Sequence, residues 1–104
     1  MAEVIWTEPA LSDLDAIADY IALDKPDAAR TLVRRVFEHV GQLEDHPDSG
    51  SKLPEFKAWR YRQIIEPPCR VFYRHEENRV YILHVMRSEQ RLRRGRLVKR
   101  EDKL

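Results

Sequence analysis

The 104 residues suffice for one domain with its own core, and the single cysteine, Cys69, excludes an internal disulfide and a thiolate-rich zinc site. No apolar run reaches the ~20 residues that span a bilayer, and Met1–Trp6 lacks the basic start and apolar middle of a signal peptide, so a small cytoplasmic protein is expected. The net charge of +1 conceals a segregation: residues 1–56 hold five Lys/Arg against twelve Asp/Glu, residues 57–104 fourteen against six. Either the basic half meets an anionic partner, or the two halves neutralise each other across the fold.

Val4-Ile5-Trp6 is a short β-prone run closed by Thr7-Glu8-Pro9. Thr7 suits a helix N-cap, with Pro9 tolerated in the first turn. Leu11, Leu14, Ile17, Ala18 and Ile21 then recur at helical spacing, with Asp13 and Asp15 placed to favour the positive end of the helix dipole. Asp24-Lys25-Pro26 ends this helix, and Pro26-Asp27 opens a second. Its stripe runs through Ala29, Leu32, Val33, Val36, Phe37, Val40 and Leu43, with Arg30, Arg34, Arg35 and Glu38 outside. An antiparallel helix pair follows.

His46 to Ser51 stops the second helix, and a loop continues through Leu53 to Lys57. Trp59 to Ile65 begins with strand-like alternation, and Pro67-Pro68 ends that ladder. Cys69 to Arg74 is the next strand, His75 to Asn78 a hairpin connection, and Arg79 to Met86 the most β-prone stretch. From Arg87 to Arg96 half of the residues are arginine. The spacing predicts a β-α-α-β-β-β order and an α+β, two-layer fold, with the helix hairpin packed on a small, mainly antiparallel sheet. The expected domain covers residues 1–92, and residues 93–104 form a basic C-terminal tail whose low apolar content leaves flexibility open.

Arginines recur along the sheet segments at Arg60, Arg62, Arg70, Arg74 and Arg79, with Arg87 just beyond. Residues two apart on a strand share a face, so Arg60 and Arg62 are expected to project together. With Arg70 they form either a phosphate-binding surface or an ordinary solvated face. None of the four histidines has the helical spacing of a zinc site, and no glycine-rich phosphate loop exists, so no metal or cofactor is expected. His84, between Leu83 and Val85, is the one histidine on a plausible working surface, although a lone histidine on a strand more often packs than catalyses, and Cys69 reads as a small buried hydrophobe.

Val4 to Ala22, the Pro26-Asp27-Ala28-Ala29 helix start, the His46-Pro47 to Gly50 exit, Arg70-Val71-Phe72-Tyr73-Arg74 and Val80 to Val85 together resemble the RelE/ParE superfamily of bacterial toxins, most closely its ParE branch. The resemblance covers about residues 3–92. It implies the toxin of a type II toxin–antitoxin system, neutralised by a ParD-like antitoxin that is small, acidic, dimeric and DNA-binding. Such an antitoxin would dock by a helix in a groove and by strand addition. Leu11, Leu14, Phe37 and Val40 then serve either as its anchors or as internal core.

In this superfamily RelE-like members cut mRNA on the ribosome, whereas ParE-like members inhibit DNA gyrase. Arg70 matches a phosphate-binding arginine of the RelE branch, and an RNase here would draw on Arg62, Arg70, Arg87 and Glu89. Beyond Met86, however, the chain has no tyrosine and no histidine, and Arg94 stands near the position of the RelE tyrosine. Arginine is a poor proton shuttle, since its pKa exceeds about 12. The ParE reading follows: gyrase, with or without DNA, is the target, Arg87, Arg91, Arg93, Arg94 and Arg96 form the effector surface, and no catalytic residue is required.

Overall fold

A computed structural model describes residues 1–55 and 60–104. Five strands form one mixed sheet in the order β1-β5-β4-β3-β2. They are β1 (Glu3–Trp6), β2 (Ser51–Lys52), β3 (Arg62–Glu66), β4 (Cys69–Glu76) and β5 (Arg79–Arg87). Helices α1 (Glu8–Ala22) and α2 (Pro26–Gly41) lie between β1 and β2, and α3 (Arg94–Glu101) follows β5. Only β1 runs parallel to its neighbour β5, and the remaining pairs are antiparallel. The expected α+β architecture is present.

The α1 start is built as its residues dictate. Thr7 Oγ1 accepts from the Ala10 N–H at 3.3 Å and donates to the Ile82 carbonyl at 2.7 Å, so one side chain caps the helix and ties it to β5. The apolar stripes of both helices meet the sheet in one core, with Leu14, Leu32, Val36, Val40 and Leu43 against Val71, Tyr73, Val80, Ile82 and Val85. Leu14 and Val40 are therefore internal core, whereas Phe37 stays 41% exposed, its ring 4.8 Å from that of Trp6. Cys69 is fully buried here, and burial pushes its thiol up to about 11.

Gly50 sits where no other residue fits. A Cβ there would lie 2.6 Å from the Tyr73 ring and hydroxyl, and 2.7 Å from the Gln63 carbonyl. The close approach lets Tyr73 accept from the Gly50 N–H at 2.9 Å and donate to the Pro47 carbonyl at 2.8 Å. The α2 exit is thereby sewn to the sheet.

Three features depart from the expectations. First, the strand expected from Trp59 begins at Arg62, and Trp59, Phe56 and Lys57 lie outside the described residues. Tyr61 is drawn into a second apolar cluster instead of continuing the ladder, so Arg60 and Arg62 do not share a strand face. Second, the β4–β5 turn contracts to Glu77 and Asn78, with Glu77 at φ 55°. Third, the stretch after Leu92 folds as α3. Leu92 and Leu97, 5% and 0% exposed, join Leu53, Tyr61, Phe72, Leu83 and Met86 in a small core on the sheet face opposite the helix pair. Two apolar side chains suffice to seat a short helix because Arg100 and Glu101 add half-buried ion pairs at its end.

Candidate functional site

The sheet arginines are held by carboxylates. Arg70, at the side of the sheet away from the helix pair, donates from Nη1 and Nη2 to both Glu55 oxygens at 2.6 and 2.7 Å and from Nε to Gln63 at 2.9 Å. The guanidinium holds the Glu55 carboxyl below the usual carboxylate range. Glu101 of α3 receives Arg74, and Arg60 approaches it at 3.0 Å. Arg62 donates to the Gly50 carbonyl at 3.0 Å and lies 3.7 Å from Asp48.

Pleat parity separates the set weighed for RNA cleavage. Arg62 pairs with Tyr73, and Arg87 with Cys69, so both take the helix-facing side with those core residues. Arg70, next to Cys69, takes the opposite side. Arg87 is 2.8 Å from Glu89 and lies over the Tyr20 ring at 5.4 Å. The structure does not bring Arg62, Arg70 and the Arg87–Glu89 pair together.

What it does assemble is a groove along the open half of β5. Strand β1 pairs only with Arg79–Ile82, which leaves the edge of β5 beyond Ile82 without a strand neighbour on that side among the described residues. Side chains close it. Asp13 of α1 accepts from the Val85 N–H at 3.1 Å, Arg100 of α3 donates to the Leu83 carbonyl at 3.0 Å, and Gln90 accepts from the Arg87 N–H at 3.2 Å. Asp13 is also paired with Arg100, so a carboxylate and a guanidinium clasp the two helix layers around the sheet edge. Burial pushes the Asp13 carboxyl up, but hydrogen bonds from His84, Arg100 and the Val85 N–H outweigh it and hold the group at about 2.

A bulge aims His84 into this clasp. The register shifts between Phe72 and Tyr73, where Leu83 has no partner of its own on β4 and His84 sits opposite Phe72. The imidazole stacks on Phe72 with centroids 5.6 Å apart, and its Nδ1 is 2.8 Å from Asp13 and 2.9 Å from Arg100. Sequence reading missed this placement, because Leu83-His84-Val85-Met86 carries no alternation from which to read the phase.

Two adjoining clefts flank the clasp. One, of about 620 Å³, is lined by Asp13, His84 and Met86 together with Arg91, Arg93 and Arg96. The other, of about 660 Å³, is lined by Pro9, Gly95, Arg93, Arg96, Lys99, Arg100 and Lys103. Arg91, Arg93, Arg96, Lys99 and Lys103 are exposed. None of these five is ion-paired to a carboxylate among the described residues. Three expected effector residues, Arg91, Arg93 and Arg96, therefore meet here. Arg87 stands apart with Glu89, and Arg94 opens α3 with its side chain outside what is described. Chemically the groove can hold an extended anion.

Residues 4–92 match the family described as ParE toxin of type II toxin–antitoxin system, parDE. Toxin RelE2 of Caulobacter vibrioides is 32% identical over 85 residues, 82% of this chain and 93% of that protein. The protein Y4kP of Sinorhizobium fredii is 38% identical over 85 residues, 82% of this chain and 86% of that protein. Among solved structures, a chain of the chromosomal ParDE toxin–antitoxin system from P. aeruginosa superposes with a TM-score of 0.72 at 28% identity, covering 86% of this chain and 98% of its own. No helix among the described residues is long and apolar enough to cross a membrane.

Proposed function

We propose that this chain, which belongs to the ParE toxin family of type II toxin–antitoxin systems, inhibits DNA gyrase and is neutralised by a ParD-like antitoxin. The observation that carries the reading is the groove between α1 and α3, where Arg91, Arg93, Arg96, Lys99 and Lys103 gather with no ion pair to a carboxylate among the described residues. Such a surface binds rather than reacts. Beyond β5 the chain offers neither tyrosine nor histidine, and Glu89 is tied to Arg87 at 2.8 Å. Inhibition would come from occupying gyrase at the stage when its DNA is open, with the groove on an anionic surface of that complex. An acidic antitoxin would associate rapidly with the same basic half.

One observation favours the second reading, ribosome-dependent mRNA cleavage. His84, oriented by Asp13, lines the cleft that also holds Arg91, Arg93 and Arg96. An imidazole beside guanidinium groups is a workable proton acceptor for a 2′-hydroxyl.

Two assays on the purified chain separate these readings: inhibition of gyrase supercoiling, and cleavage of mRNA on translating ribosomes. The gyrase reading expects inhibition in the first and intact mRNA in the second, with inhibition lost in the triple variant Arg91→Glu, Arg93→Glu, Arg96→Glu. Cleavage that disappears in His84→Gln would reverse the assignment.

A further inference from the structure

The groove has a composition that narrows its ligand. Around the second cleft stand Pro9, Gly95 and five cations, with no acidic side chain and no large apolar one. Protein–protein interfaces centre on a desolvated apolar core in which aromatic residues, Met and Arg are enriched and Lys is depleted, and the lining of the second cleft offers no such core. Interfaces with nucleic acid are the reverse, polar and strongly positive. A single-stranded ligand would further require aromatic faces on which bases stack. Among the described residues, the one aromatic ring along the two clefts is that of His84, only 9% exposed and already stacked on Phe72.

The cations also form a row. Arg96 and Lys99 are three residues apart on α3, and Lys103 follows four residues later, just past the helix end, so the three follow one side. At 1.5 Å per residue the row is about 10 Å long, which is about three base-pair steps of rise along the axis of a duplex. Arg93 extends it toward the first cleft. Behind the row, Leu97 in the far-face core, Arg100 on Asp13 and Glu101 on Arg74 fix the helix. The exposed cations are presented on a fixed rail.

We infer that the groove between α1 and α3 seats the phosphate backbone of duplex DNA directly, through Arg93, Arg96, Lys99 and Lys103, without reading its bases. The inference deepens the gyrase reading, resting on the same groove as effector surface: the toxin would grip the DNA that gyrase is handling as well as the enzyme.

The test is fluorescence anisotropy of a labelled duplex with the full chain and no gyrase, across a salt series. Four phosphate contacts give a slope of log affinity against log salt of about −3.6, so binding weakens roughly 150-fold between about 50 and 200 mM salt. The variant Arg96→Ala/Lys99→Ala is expected to bind roughly tenfold or more weakly, with the slope reduced by about two. Its circular dichroism should be unchanged, because neither side chain packs in a core. Arg30→Ala/Arg34→Ala removes the same charge from α2 at residues that line neither cleft, and should leave the affinity within about twofold of wild type. The inference is overturned by absent duplex binding at about 50 mM salt, by equal losses in the two double variants, or by single-stranded RNA of the same length or an acidic peptide binding more tightly than the duplex. A supercoiling assay on the same samples keeps the two proposals apart. Duplex binding without gyrase inhibition sinks the target and supports the ligand, whereas inhibition without duplex binding does the opposite.

Discussion

The sheet and the α1–α3 groove both carry several arginines, yet the two regions do opposite things with most of them. On the sheet, Arg60, Arg62, Arg70 and Arg74 each face a carboxylate, and these pairs bind loop, strand and α3 into one body. Along the groove, Arg91, Arg93, Arg96 and Lys99 face solvent, and the nearby Asp13 is already taken by Arg100 and His84. Residue type does not distinguish a structural arginine from a binding one. The distribution of carboxylates does, and it is set by which segments the fold lays side by side.

Removing a sheet arginine should be the most damaging change. Arg70→Ala leaves Glu55 without its bidentate partner beside a core, and a loss of about 3 kcal/mol is expected in urea unfolding. An effect under about 0.5 kcal/mol, typical of surface sites, would erase the contrast between the two regions.

Asp13 comes next, as the clasp between them. Its folded pKa of about 2 lies below the ordinary value of 3.8, so its stabilising contribution is complete above that ordinary value and lost as pH falls through the folded one. Asp13→Asn should therefore cost about 2 kcal/mol at neutral pH. It should also flatten the fall in stability that the wild type shows between about pH 4 and pH 2. Retention of the full acid limb in this variant would assign that limb to other carboxylates.

Glu101→Gln sharpens the comparison by moving Arg60 from the held set to the free one and leaving Arg74 with Glu76 alone, 3.3 Å away. A stability loss of about 1–2 kcal/mol is expected, together with faster hydrogen exchange in α3 and tighter binding of duplex DNA. Should binding stay unchanged, unpaired charge alone does not make an arginine available, and the shape of the groove matters more.

At the small end, Arg96→Ala/Lys99→Ala should shift thermal unfolding by no more than about 0.5 kcal/mol in stability, since both side chains are exposed. A larger loss would place these cations among the structural ones. Glu77→Gly should add about 0.5–1 kcal/mol by relieving the left-handed backbone at φ 55°.

The local chemistry of the chain determined much of the fold. Thr7, Pro26 and the paired apolar stripes dictate two helices, Pro67-Pro68 separates two strands, and the resemblance carried by these elements leads to the right family. These features act over a few residues, so periodicity and capping reveal them. Tertiary structure alone decided the rest. That Leu92 and Leu97 have a second core to enter, that Glu55 and Glu101 reach the sheet arginines, and that a bulge opposite Phe72 turns His84 toward Asp13 are contacts between segments distant in the chain. Local propensity carries no record of such meetings, because ion pairs and bulge phase depend on which strand edge is left open, and here that follows from where β1 stops along β5.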